Sequence, residues 1–327
     1  MRLFRNADYK FIEQRRKAYV ISAVAILIGV VGMGINLASL GSWLNYGVDF
    51  TGGTLVEVRF QQPTDVAAVR SALGTMNPSI TRFGSDNDFT VRVPLPEDGD
   101  IQDVEASIRA GLDPAFGAGT YEVLRTEGVG PKIGGELQRK AAGAILFSFL
   151  LTLIYLAFRF EWRFGVAAVI ATAHDILITL GALALFRVEI ALATVAAILT
   201  IVGYSLNDTI IVFDRIRENQ NKRGAKKQDQ IELVNRSINE TLPRTVMTSM
   251  TTLIVLFALL LLGGPVIRDF TLVLILGIVV GTYSSIFVAS PALIEIRQRY
   301  GDGGDADKRK RERQRKRQQE EALTAAV

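Results

Sequence analysis

Four side chains in this sequence sit where an ionisable group is costly to hold. Asp208 lies inside the apolar run 190–213, His174 and Asp175 lie near the middle of the run 164–186, and Asp269 stands at the mouth of the run 270–294. Hydrocarbon offers no water to such groups, so each is a candidate functional site unless it reaches an end of its span. Thr200, Tyr204 and Asp208 recur at i, i+4 and i+8 and form a polar stripe on one helix face, with Asn207 beside the acid. Arg244 opens the next apolar run, and Thr245, Thr248, Ser249 and Thr252 follow it as a second stripe. Two such stripes in lipid face each other or water rather than acyl chains. An acid beside hydroxyls and a guanidinium is the set a proton relay needs. Burial and a nearby cation act oppositely on a carboxyl's proton affinity, so a change in their separation loads or releases a proton. The same residues serve equally as interhelical hydrogen-bond glue, with Arg244 reaching back to the interface. For His174 and Asp175 the structural reading leads, because adjacent residues on a helix point to different faces and need not act together. Asp269 reads as a solvated helix end.

Six elements must position these groups. The chain has 327 residues, 49% of them hydrophobic, and the apolar ones gather into the runs 18–40, 141–158, 164–186, 190–213, 245–262 and 270–294. Each is about 18–25 residues long, enough for a helix to cross a hydrocarbon core of about 30 Å. The first follows Arg15, Arg16 and Lys17 and reads as an uncleaved anchor, since five more spans follow. Lys and Arg concentrate before the first run, in the loop 214–244 and in the tail 295–327, which predicts both termini on the cytoplasmic side of the membrane.

The segment 41–138 then lies outside as a folded domain, and its 14 Asp and Glu against 7 Lys and Arg fit that side. Its pattern reads strand 54–60, helix 64–76, strands 80–83 and 89–93, helix 101–112 and strand 121–126. That βαββαβ order predicts an α+β ferredoxin-like sandwich between the first and second spans of a polytopic α-helical membrane protein. In the cytoplasmic loop, Ile231, Val234, Ile238 and Leu242 recur at helical spacing and predict an amphipathic helix, which lies on the membrane surface or equally stands as a solvated loop helix packed on nothing. The tail carries eight cations between Lys308 and Arg317, a run suited to anionic lipid headgroups rather than nucleic acid.

The chain has no Cys and one His, which excludes thiolate chemistry and leaves no recognisable zinc spacing, so neither metal nor cofactor is expected. No Ser, His and Asp set suggests covalent catalysis, and an enzyme is not expected. Gly52 and Gly53 lack the Lys and the strand-to-helix setting of a phosphate loop. Gly277 and Gly281 form a GxxxG suited to close helix packing.

Several longer motifs stand together in this chain: GVDFTGGT at 47–54, VGPKIGGEL at 129–137, HD at 174–175, VGYSLNDTIIVFDRIREN at 202–219 and TLPRTVMTS at 241–249. With them the sequence resembles the SecD/SecF family of the bacterial Sec protein translocase, on its SecF side, a relative of the resistance-nodulation-division transporters. The resemblance runs from the first span to the end of the sixth. It implies pairing with SecD, work at the SecYEG channel together with YajC and YidC, an unfolded exported polypeptide as the client, and use of the proton motive force to complete export and prevent backsliding. It also implies that Asp208 and Arg244 are the working acid and cation. In some members the acid at the mouth of the sixth span is replaced, which leaves Asp269 outside that set. Two other classes compete: a half-sized small-molecule or lipid exporter, which needs a larger outer pocket, and a passive scaffold in which Asp208 is structural.

Overall fold

A computed structural model describes residues 7–76, 78–82, 85–93, 101–222, 228–264 and 267–300. The basic run of the tail, with its expected lipid contacts, lies outside the described residues.

Helix α1, Arg15–Leu40, ends on Gly41 at φ 73°, a left-handed stop that glycine adopts without strain. The short strand β1, Asn45–Tyr46, and the single turn α2, Val48–Thr51, lead into β2, Gly53–Phe60. Then come α3, Val66–Ala72, β3, Ser79–Arg82, β4, Asp88–Val93, α4, Ile101–Phe116, and β5, Tyr121–Val129. The sheet order is β3-β4-β2-β5 with every neighbouring pair antiparallel, and a bulge at Glu57/Val58 bends β2 against β5. Val56, Val58, Phe89 and Val91 of the sheet meet Val69 of α3, Leu73 just past its end, and Ile108 and Leu112 of α4 in one core.

Among the described residues, six helices are long and apolar enough to cross a membrane. After α1 they are α5, Pro131–Arg159, α6, Trp162–Leu185, α7, Leu192–Asn221, and α8, Gln230–Leu262. The sixth is a stack of α9, Arg268–Ser284, a π-helical turn, Ser285–Ala289, and α10, Ser290–Tyr300. A two-residue strand, β6, Glu189–Ile190, precedes α7. Small residues set the closest approaches: a Cβ on Gly29 of α1 would fall 2.7 Å from the Gly181 backbone of α6, and one on Gly281 of α9 would fall 2.9 Å from Ser205 of α7. Leu146, Phe147, Leu150 and Leu151 on α5 and Met250, Ile254 and Val255 on α8 stay exposed on the outside of the bundle, as residues that face acyl chains do. The chain is an integral membrane protein.

Three helices depart from their apolar runs. Helix α5 begins at Pro131, well before residue 141, because proline is favoured at a first helical position and the Glu136–Lys140 pair at 2.8 Å supports the polar turns that follow. Helix α7 continues past residue 213 through Arg215, which bonds Glu218 and Glu240 at 2.6 Å each. The amphipathic stripe of 231–242 is no separate helix lying on a membrane surface. It is the first part of α8, continuous through Pro243, and Val234, Ile238 and Leu242 are buried against protein. Asn235 and Asn239 make that docking specific, accepting the backbone N–H groups of Ile12 and Tyr9 at 3.0 Å each.

Candidate functional site

Among the described residues, two acids lie inside the helical bundle, each 1% exposed, in opposite settings. Asp175 on α6 is fully bonded. Its Oδ1 lies 2.9 Å from His174 Nδ1, and its Oδ2 accepts from Ser205 Oγ of α7 at 2.5 Å and from Ser284 Oγ of α9 at 2.8 Å. His174 Nε2 lies 2.9 Å from Ser22 Oγ of α1, which is 3.3 Å from the Tyr283 hydroxyl, and that hydroxyl donates to the Ala18 carbonyl at 3.0 Å. One hydrogen-bonded network therefore ties four helices. The expectation that His174 and Asp175 point apart does not hold: both side chains turn into the same polar seam and bond each other. Ser284 is placed by the helix that runs into the π turn, where Ser290 Oγ donates to the Ser285 carbonyl at 2.9 Å. Turns of this kind recur at functional sites.

Asp208 on α7 is the opposite case. Neither carboxyl oxygen has a hydrogen bond among the described residues, nor does the buried Thr245 hydroxyl of α8. Ser249 of α8 lies near enough to offer the carboxyl a hydrogen bond and Arg244 acts on it electrostatically, but no ion pair joins Asp208 to Arg244. Arg244 is exposed on α8, and Ser249 Oγ is engaged 2.7 Å from Thr282 Oγ1 of α9. Burying an ionised carboxylate without donors costs several kcal/mol, about the scale of a whole domain's stability. The surroundings therefore do not neutralise a charge on Asp208, and gaining or losing a proton changes the local energy strongly.

The supporting residues divide. Tyr204 OH lies 3.3 Å from Thr252 Oγ1, joining the two stripes across α7 and α8. Thr248 and Thr252 spend their hydroxyls on carbonyls of their own helix, Thr248 on Arg244 and Thr252 on Thr248, and Thr200 bonds Ala196. Thr200 and Asn207 are exposed on the outside of α7. A groove between α5 and α7 with a volume of about 360 Å³ is lined by Leu151, Tyr155, Gly203 and Asn207 among others. Asp269 sits in the first turn of α9, half-buried, within electrostatic reach of Glu189. Ser22, Ser205, Tyr283 and Ser284 are the members that sequence reasoning missed. Single serines and a tyrosine in apolar runs carry no signal until the fold brings them to one acid.

Six spanning helices around two buried acids, with a small sheet unit between the first and second, define a multi-pass integral membrane protein. Residues 114–299 match the family described as "Protein export membrane protein SecD/SecF, C-terminal", and residues 38–64 match the SecD/SecF GG motif. Among curated relatives, the protein translocase subunit SecF of Gemmatimonas aurantiaca is 48% identical over 314 residues, covering 94% of this chain and 92% of that protein. The corresponding subunit of Desulfurispirillum indicum is 47% identical, covering 89% and 92%. The crystal structure of SecDF from Thermus thermophilus, described as a translocon-associated membrane protein, superposes with a TM-score of 0.76 at 41% identity; the match covers 91% of this chain and 40% of that longer one. The chain belongs to the SecD/SecF family of protein export membrane proteins.

Proposed function

We propose that the chain is an accessory subunit of the Sec export machinery of the SecF type, lying in the bacterial inner membrane with both termini cytoplasmic. In this reading the βαββαβ unit is a ferredoxin-like domain on the periplasmic side. The chain pairs with SecD, works at the SecYEG channel, and uses the proton motive force to complete export and hold back an emerging unfolded polypeptide. YajC, YidC and anionic lipid at the tail are further partners of this reading.

The observation that carries it is Asp208, a buried carboxyl without a hydrogen-bond partner among the described residues, in the fourth spanning helix of a SecD/SecF protein. One proton falling through 100 mV supplies about 2.3 kcal/mol, enough to bias a two-state packing equilibrium roughly fifty-fold. Protonation of Asp208 alters its electrostatic interaction with Arg244 and the packing of α7 on α8. The bonded Asp175 network is the fixed frame against which that packing changes.

The test is export of a secretory precursor into inverted vesicles that carry the full chain with SecD, comparing the native protein with Asp208→Asn. Loss of the gradient-dependent part in a variant that reaches the membrane at native levels supports the proton-linked reading. Unchanged stimulation makes Asp208 structural and the chain a scaffold.

A further inference from the structure

The GVDFTGGT motif has no task in proton handling, yet the fold gives it a position of consequence. It lies where the sheet unit meets the bundle, against residues 189–192, which lead into α7. Strand β1 pairs in parallel with β6, Asn45 opposite Glu189 and Tyr46 opposite Ile190. Asn45 Nδ2 donates to the Arg187 carbonyl at 2.9 Å, and Gly47 N–H donates to the Ile190 carbonyl at 2.9 Å. Gly47 has no room for a side chain, since a Cβ there would fall 3.2 Å from the Ile190 oxygen and 3.2 Å from Glu189 Cγ. Asp49 Oδ2 accepts the backbone N–H of Leu192 at 2.8 Å. Leu192 is the first residue of α7, so the motif's carboxylate caps the helix that carries Asp208, where negative charge is favoured.

The sheet closes the joint from its other side. Arg92 Nη2 of β4 lies 2.7 Å from Glu189 Oε2, in a setting that also holds Asp49, Asp269 and Glu127. Gly52 and Gly53, at φ 74° and 117°, turn the motif directly into β2, where Leu55 stands opposite Arg92. The turn of the motif is thus held between the sheet and residues 189–192 with no free linker. Asp208 lies sixteen residues further along the same unbroken helix, about 24 Å at 1.5 Å per residue.

We infer that Asp49, Glu189 and Arg92 form a rigid joint through which the sheet unit and the amino-terminal end of α7 move as one body. They are positioning residues for the proton-linked cycle, because a shift of α7 at Asp208 reaches the sheet unit without passing through a flexible segment. This role rests on the proposed function of Asp208, while the rigidity of the joint can be measured without it.

The chain has no Cys, so spin labels can be placed cleanly at Glu122→Cys on β5 and Ala196→Cys on α7, both exposed positions, in the full-length protein with SecD in membranes. The expected inter-label distance distribution is narrow in the otherwise native protein, broadens in Arg92→Glu, and narrows again in the double variant Arg92→Glu/Glu189→Arg. A broad native distribution, or a narrow one in Arg92→Glu, overturns the joint. In gradient-driven export the expected stimulation falls at least fivefold in Arg92→Glu and returns to within twofold of native in the charge-swapped pair. Native stimulation in Arg92→Glu overturns the positioning role. Asp208→Asn separates the two readings: it should lose stimulation while keeping the narrow distribution, and if it keeps both, the proton reading fails while the joint stands.

Discussion

Asp175 and Asp208 are the same residue type, equally buried in neighbouring helices, and they have opposite surroundings. Asp175 has donors on both oxygens, and its network reaches α1, α6, α7 and α9. Asp208 has none among the described residues. A carboxylate held by hydroxyls and an imidazole resists change, since each bond must break before the group moves. A carboxyl without partners breaks no hydrogen bond when it changes protonation state. The pair teaches that burial alone does not mark a working acid inside a membrane. The bonding of the acid separates the frame from the moving part.

The strongest way to break the comparison is substitution of both acids. Asp208→Asn should leave folding intact and reduce gradient-driven export at least tenfold, read as precursor protected in inverted vesicles. Asp175→Ala should act on folding instead, lowering stability by about 2–3 kcal/mol because His174, Ser205 and Ser284 lose an acceptor. Unfolding of the purified protein in detergent would show it, and an Asp175→Ala protein as stable as native would remove the distinction. Ser205→Ala and Ser284→Ala sharpen it, each expected to cost about 0.6 kcal/mol, the average for one interhelical hydrogen bond in a membrane protein.

A third acid extends the comparison outside the bundle. Asp88 is paired in two-pronged fashion with Arg59, at 2.7 and 3.0 Å, and this hydrogen bonding holds its carboxyl below the ordinary Asp range. A folded-state pKa below the unfolded value of about 3.9 adds stability that is present above that pH and lost as pH falls through the lowered folded value. Amide protection factors in β2 and β4, corrected for the intrinsic exchange rate at each pH, should therefore fall in the native protein below about pH 4. Asp88→Asn should show lower protection factors already at neutral pH and little further change on acidification.

Much of this arrangement is readable from residue order. The apolar runs are long enough to declare six spanning helices, and the alternation between residues 54 and 126 declares strands and helices that the sheet unit contains. The polar stripe of Thr200, Tyr204 and Asp208 declares an acid with hydroxyls near it, and Tyr204 does meet Thr252 across the helices. What stays hidden depends on tertiary distance. Nothing in the HD dipeptide says that serines 30 and 109 residues away will close on its acid. Nothing in the order of Asp208 and Arg244 says whether a guanidinium at the right depth turns toward the carboxyl or away from it. The stripe of 231–242 has the spacing of a surface helix, and only the asparagines that bond Tyr9 and Ile12 reveal that its apolar face is covered by the chain itself.

The π-helical turn at Ser285–Ala289 changes how the last span should be counted. A turn of this kind absorbs one extra residue without rotating the helix on either side of it. A helical wheel drawn at 3.6 residues per turn across 268–300 therefore miscounts by one after Ser285, and places Leu293 and Arg297 off the face they occupy. Both are in fact buried. A related chain one residue shorter here would keep the same two faces with an ordinary helix, so this turn is a place where length can change without altering what the bundle sees.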